Sequence, residues 1–309
     1  MIHVIDMQSR ATIQDLGRFG LRRFGISQCG AMDKLALRAG NILLGNAEDA
    51  PAIEVPLGGI TLQFQQDMNF CVTGAFYEMT LDDKPVFAYW RYQVRAGQVL
   101  KMIRAKIGMY GYLCVQGGFT LPQELNSCST DLRAQIGGIE GRGLQVGDQL
   151  QTVNDPILRS EIGIAPIPLK HTIHALPSSE YQAFKRKSQY YWWRSKWTLQ
   201  SNSDRMGYRF QGQKLELKQP LEMLSHAIQF GSVQVPPSGQ PIILMADAQT
   251  TGGYPKIANV IDADLGALAQ VRLGSTIQFE AVSLEQAAKL RRKNEIYLEQ
   301  IRRIVDEKN

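Results

Sequence analysis

The sequence carries none of the short signatures of the common enzyme chemistries. It has no GxxxxGK[ST] phosphate loop, no HExxH, no nucleophile elbow and no GxGxxG, so none of these explains what the chain does. Cysteine is scarce and scattered: Cys29, Cys71, Cys114 and Cys128 form no CxxC pair. The histidines His3, His171, His174 and His226 are as dispersed, and His171 and His174 alone lack the spacing of a zinc site. No metal is expected, and the thiols read as free. No run approaches the roughly 18 apolar residues of a membrane span, and Met1-Ile2-His3-Val4-Ile5-Asp6 lacks the basic-then-apolar pattern of a signal peptide. No membrane association and a cytoplasmic location are therefore expected. The net charge of +5 is modest, and the one dense basic run, Lys289, Arg291, Arg292 and Lys293, lies among acidic neighbours in a helical stretch. That run reads as a solvated helix face rather than a nucleic-acid stripe.

What the chain does have is length, apolar content and turns. Its 309 residues suggest two domains or one large one, and 44% hydrophobic content is enough to build a core. Short β-branched runs between Gly, Pro, Asn and Asp clusters predict a mainly β protein with a few helices, a β-rich α+β fold. Strands are expected at 99–103, 110–115, 242–245 and 257–261. One pattern occurs three times, around Gly97, Gly147 and Gly274: an apolar residue, a glycine turn and a new strand. It hints at two similar barrel-like halves. The proline-spaced stretch 152–170, with Asn154-Asp155-Pro156 and Ala165-Pro166-Ile167-Pro168, is the candidate boundary, giving domains 1–155 and 156–309. Helices are expected over 32–44, capped by Asp33; from Ser179, with Gln182 as capping-box partner; and from Ser283, with Gln286 in the same role. The last carries an apolar stripe (Leu298, Ile301, Val305) and is assigned to the second domain.

Four segments load polar residues between glycines. Thr12–Arg18, running on through Arg22 and Arg23 to Gly30-Ala31-Met32-Asp33, offers Asp15 and an arginine ahead of a helix start, where an anion could sit. Glu54 precedes Gly58-Gly59. Ser127-Cys128-Ser129-Thr130-Asp131 offers hydroxyls and a thiol, but no histidine lies near in sequence, so small-residue loop packing is favoured over a Cys128 nucleophile. Asp204-Arg205-Met206-Gly207-Tyr208-Arg209 and Asp247-Ala248-Gln249-Thr250-Thr251-Gly252-Gly253-Tyr254-Pro255-Lys256 lie on loops at strand ends, where sites collect. Arg205, Gln249, Thr250 and Lys256 suit a small acidic or amide-bearing ligand.

Together the motifs Thr12–Arg18, Gly30–Asp33, Glu54 with Gly58-Gly59, Cys128–Asp131, Asp204–Arg209 and Thr251–Ala258 resemble the biotin-dependent carboxyltransferase family, also described as allophanate hydrolase subunit 2. The resemblance runs from about residue 8 to about 285. It implies cyclophilin-like β-barrel domains, two in the chain. It also implies a subunit of an ATP-dependent 5-oxoprolinase, which acts with subunits A and B to hydrolyse 5-oxo-L-proline to L-glutamate, ATP being bound by the complex. Two other roles of the family remain open: a urea-type carboxyltransferase, whose biotin and ATP sites would come from partner chains since neither is visible here, and a non-catalytic regulator that antagonises a kinase inhibitor. On the 5-oxoprolinase reading Asp15, Glu54 and Arg205 are the candidate catalytic residues. Arg18, Asp33, Tyr208, Gln249, Thr250, Tyr254 and Lys256 are the candidate substrate-binding residues.

Overall fold

The computed structural model describes residues 1–153, 155–158 and 161–308, so Asn154 of the expected boundary lies outside the described residues. The chain divides into two compact units: Met1–Arg18, Cys29–Pro168 and Asn294–Asn309 form the first, Phe19–Gln28 and Leu169–Lys293 the second. A single cut at 155/156 differs from this in three places. Residues 156–168 stay with the first unit, where a short strand in this stretch pairs with the sheet. Phe19–Gln28 goes with the second unit. The apolar half of the last helix goes with the first, because Arg38 there forms a fork with Glu295 at 2.7 and 2.9 Å, and Tyr297 donates to the Ala165 carbonyl at 2.7 Å.

In the first unit the elements are β1 (Ile2–Met7), β2 (Thr12–Gln14), α1 (Lys34–Leu43), β3 (Ala52–Pro56), β4 (Ile60–Phe64), β5 (Met68–Leu81), β6 (Lys84–Pro85), β7 (Trp90–Val94), β8 (Val99–Val115), β9 (Gln149–Leu150) and β10 (Ile162–Gly163). They form one ten-stranded sheet ordered β10-β7-β5-β8-β4-β1-β9, with β2, β3 and β6 off this path. The strands expected at 99–103 and 110–115 are one strand, β8. Its pairing with β5 shifts register at three points, which carries it past the polar residues that divide it in the sequence. β4 buries every second residue, as a strand with one wet face must, whereas the first eight residues of β5 are all buried. The cause is α1, which covers the second face: Thr73 Oγ1 donates to the Ala36 carbonyl at 2.7 Å, and Cys71 Sγ to that of Gly40 at 3.3 Å.

The second unit contains β11 (Thr172–Pro177), α2 (Arg186–Arg194), β12 (Trp197–Leu199), β13 (Gly207–Gln211), β14 (His226–Ala227), β15 (Ser232–Gln234), β16 (Ile242–Leu244), β17 (Thr251–Gly252), β18 (Lys256–Val260), α3 (Asp262–Ala269), β19 (Thr276–Ala281) and the start of α4 (Leu284–Lys308). Seven strands close a barrel in the order β11-β18-β15-β16-β13-β12-β19, and β14 pairs with β17 as a separate ribbon. The helix expected from Ser179 begins seven residues later. Phe184 is fully buried, and it reaches the core by taking an extended backbone that breaks the helix before Arg186. Trp192 on α2 then stacks on Phe279 of β19 with ring centroids 4.2 Å apart. The capping box at Ser283 forms in both directions, at 2.8 and 3.1 Å. The short α3 was not foreseen.

The three glycine turns share one geometry. Gly97, Gly147 and Gly274 have φ of 90°, 97° and 81°. In each, the residue after the glycine donates to the carbonyl two residues before it, and the glycine N–H donates to a neighbouring strand at 2.7–2.8 Å. These are turns with the left-handed residue third, so a side chain there is strained even though nothing crowds it.

Gly40 makes the opposite case. Its backbone is helical, but a Cβ there would lie 2.8 Å from Cys114 Sγ and 2.9 Å from Thr73 Oγ1. Alanine raises helix propensity by about 1 kcal/mol, while overpacking costs about 1–3 kcal/mol. Gly40→Ala is therefore expected to destabilise the first unit. A rise in the urea midpoint would show that α1 has room to lift from the sheet.

Candidate functional site

The candidate residues fall into two clusters, one in each unit. In the first unit Asp15 follows β2, and its carboxylate accepts four hydrogen bonds. Oδ1 takes Gly17 N at 2.7 Å, Ser127 Oγ at 2.7 Å and Ser129 Oγ at 2.6 Å, and Oδ2 takes Cys128 N at 2.6 Å. Four acceptor positions is about what a carboxylate has. The geometry thus makes Asp15 a clamp on the 127–129 loop and leaves little capacity for moving a proton. Arg18 is fully buried, and it too grips this loop: Nε donates to the Glu124 carbonyl at 3.2 Å and Nη2 to that of Ser129 at 2.6 Å. The gripped segment is strained, with Leu125, Asn126, Gln135 and Glu140 all at φ between 53° and 60°. Burial, with the charge of Asp15, pushes the Cys128 thiol up to about 11, so it stays protonated and suits loop packing rather than attack.

Glu54 lies on β3 and is buried. Its Oε2 accepts from Met32 N at 2.9 Å and from Tyr112 OH at 2.8 Å, and the same hydroxyl accepts from Asp33 N at 2.7 Å. Burial, then the Glu54 charge, raise the Tyr112 phenol well above its ordinary range and keep it a donor. Asp33 caps α1 through Ala36 N at 3.1 Å. Glu54, Tyr112 and Asp33 together fix the entry to α1.

In the second unit Arg205 forms a two-point fork with Asp247, Nε to Oδ2 at 2.8 Å and Nη2 to Oδ1 at 2.7 Å, both side chains largely buried. The backbone adds Asp247 N to the Arg205 carbonyl at 2.9 Å. Gln249 and Thr250 follow on the same loop. Arg22, foreseen as an anion holder, instead donates to the carbonyls of Gln249 at 3.1 Å and Ile228 at 2.6 Å, bracing the loop from below. Tyr208 lies in the core with its hydroxyl on the Ala269 carbonyl at 2.9 Å, so a ligand role does not fit it. Its place on β13 decides this: inward Tyr208 and Phe210 alternate with outward Arg209 and Gln211. Tyr254 is 47% exposed and helps line a groove of about 590 Å³ with Leu215, Leu217, Met223 and Val235.

Lys256 is largely buried at the end of this loop. Its Nζ lies 2.6 Å from His226 Nε2 and 3.7 Å from Glu180 Oε2, and its backbone N–H donates to that same oxygen at 3.1 Å. Burial works to raise the Glu180 carboxyl. The Ser179 hydroxyl, the Lys256 N–H and the Lys256 charge work against it, and the group is held below its ordinary range. His226 and Glu180 were missed by the sequence reading, since they lie 30 and 76 residues from Lys256 in the chain. Among the described residues no cluster of three or more His, Cys, Asp or Glu could hold a metal, and no helix is long and apolar enough to cross a membrane.

Residues 24–281 match the family described as "Carboxyltransferase domain, subdomain A and B". The chain belongs to that family. It is 91% identical over 309 residues to the C subunit of the 5-oxoprolinase of Haemophilus influenzae, covering 100% of both chains. It is 48% identical over 307 residues to the C subunit of the Escherichia coli 5-oxoprolinase, covering 97% of each. Among solved structures it resembles the urea amidolyase of K. lactis with a TM-score of 0.90 at 26% identity, over 97% of this chain and 20% of that one. It resembles TTHA0988 with a TM-score of 0.80 at 29% identity, over 91% and 55%.

The clamp role of Asp15 has a direct consequence. In Asp15→Asn the amide N–H₂ would meet donors that now have an acceptor, each lost charged bond costing about 1.5–3 kcal/mol. The variant is expected to lose about 3 kcal/mol of stability, with faster hydrogen exchange concentrated at 124–142. Unchanged exchange in that segment would show that the loop holds itself.

Proposed function

We propose that this chain is a subunit of an ATP-dependent 5-oxoprolinase, working with subunits A and B in the cytoplasm to open 5-oxo-L-proline to L-glutamate. The observation that carries the reading is full-length identity at 91% with a protein named for that role. The second-unit loop supports it chemically. The substrate is a small lactam bearing a carboxylate, and the loop that carries Asp247, held by the Arg205 fork, also carries Gln249 and Thr250 and leads to Lys256.

Amides resist hydrolysis because the C–N bond has double-bond character and the nitrogen leaves poorly. ATP supplies activation of the carbonyl oxygen as a phosphate ester. This chain contributes binding and charge placement. Lys256, its ammonium set between His226 and Glu180, holds the substrate carboxylate. The amide of Gln249 and the hydroxyl of Thr250 complete the polar wall around the ring. Arg205 acts through Asp247 as a positioning residue for the loop, and Asp15, Arg18, Asp33 and Glu54 maintain the backbone of the first-unit segments.

The TM-score of 0.90 to a urea amidolyase favours urea-type carboxyl transfer as the second reading. Both substrates are planar amides, and only one carries a carboxylate for Lys256.

Glutamate release from 5-oxoproline and ATP separates the two. The chain, subunits A and B, and the full mixture are assayed in parallel. Turnover is expected in the full mixture and is lost when this chain is omitted. Lys256→Met in the mixture is expected to raise KM for 5-oxoproline about tenfold or more. Full activity without this chain would overturn the reading, and carboxyl transfer to urea in its place would establish the alternative.

A further inference from the structure

His226 has no part in the sequence motifs, yet its ring is tied at both nitrogens. Nδ1 lies 3.2 Å from the Leu224 carbonyl, and Nε2 lies 2.6 Å from Lys256 Nζ. A carbonyl oxygen can only accept, so Nδ1 carries the proton. The ammonium of Lys256 can only donate, so in this contact Nε2 is the acceptor. A backbone group two residues away thus sets which ring nitrogen faces the ammonium.

We propose that His226 is a positioning residue for Lys256, and that the ligand this pair serves carries a carboxylate. The proposal rests on the 5-oxoprolinase reading for the identity of that ligand. A lysine side chain is a flexible stem ending in a strongly hydrated point charge, and fixing it only when the ligand arrives weakens binding. Here it is fixed beforehand. β14 carries His226 and pairs with β17, where His226 lies opposite Gly252, four residues before Lys256. The ribbon thus carries the acceptor, and the donor opens β18 just after it.

The choice of a neutral acceptor matters. Glu180 sits 3.7 Å from Nζ and supplies a negative charge beside a largely buried ammonium. A second carboxylate in place of His226 would present two anions to an anionic ligand. The imidazole orients the ammonium without adding charge, so an incoming carboxylate meets one anion rather than two. An ammonium has three N–H donors. One goes to His226 and one faces the charge of Glu180, which leaves donor capacity for the ligand.

The test uses the assembled complex. His226→Ala is expected to raise KM for 5-oxoproline about tenfold with kcat within about twofold, the mark of lost binding rather than lost chemistry. His226→Gln places an amide oxygen where Nε2 stood and is expected to return KM to within about threefold of wild type. His226→Ala combined with Lys256→Met is expected to be no worse than Lys256→Met alone. A fall in kcat at constant KM, equal impairment of the Ala and Gln variants, or wild-type kinetics in His226→Ala would each overturn the proposal. A wild-type complex that releases no glutamate would instead overturn the 5-oxoprolinase reading. His226 is then judged by ¹⁵N-histidine NMR on the chain itself: the Nδ1–H tautomer in wild type, with an Nε2 shift that responds to Lys256→Met. An imidazolium at neutral pH, or no response, refutes the positioning role.

Discussion

The loops of the first unit depend on one carboxylate accepting nearly all the hydrogen bonds it can. Asp15 gathers donors from Gly17, Ser127, Cys128 and Ser129, and so joins the turn after β2 to a segment more than a hundred residues on. That segment contains four non-glycine residues with left-handed backbone, each an unfavourable state that persists only where the surroundings over-determine it. Arg18 adds the complementary half, donating to the carbonyls of Glu124 and Ser129 where Asp15 accepts from the N–H and hydroxyl groups of the same stretch. A buried acid and a buried base thus serve opposite polarities of one backbone segment. This is a way to satisfy buried main-chain groups without a regular strand.

The second unit solves the same problem with other residues. The stretch between β16 and β17 leaves the barrel, so side chains take over some of its carbonyls. Arg22 donates to the carbonyls of Gln249 on this stretch and of Ile228 just after β14, Ser27 Oγ donates to that of Ala248 at 3.3 Å, and Arg205 forks onto Asp247. The β14–β17 ribbon then carries the chain back toward β18. Rigidity at such a loop has a functional meaning, since polar groups fixed before a ligand binds need no reorganisation when it does.

Much of this was legible in the sequence, and what was not has a common cause. Strand rhythm, the three glycine turns, the Asp33 cap and the Ser283 capping box depend on residues within a few positions of one another, and the structure has them all. The segments around Asp15, Glu54, Arg205 and Lys256 stood out because glycine and polar residues are unusual together at strand ends. The partners of those residues did not stand out. Nothing near Asp15 announces Ser127 and Ser129, and nothing near Lys256 announces His226. The reading of Tyr208 as a ligand contact went astray for a local reason that the sequence did contain: in β13 it shares its parity with Phe210 and not with Arg209. The helix expected at Ser179 failed on a non-local one, the burial of Phe184. The two-residue strand β10 is invisible to periodicity, being too short to have any.

The cations of the candidate segments differ in what they hold. Arg18 and Arg22 send their guanidinium groups to backbone carbonyls, and Arg205 sends its fork to Asp247. A guanidinium is well suited to such work, because its planar fork matches paired acceptors and cannot be neutralised. Lys256 differs from the three in kind: its ammonium lies 2.6 Å from an imidazole nitrogen and a longer 3.7 Å from a carboxylate, an arrangement that orients the charge without pairing it fork to fork.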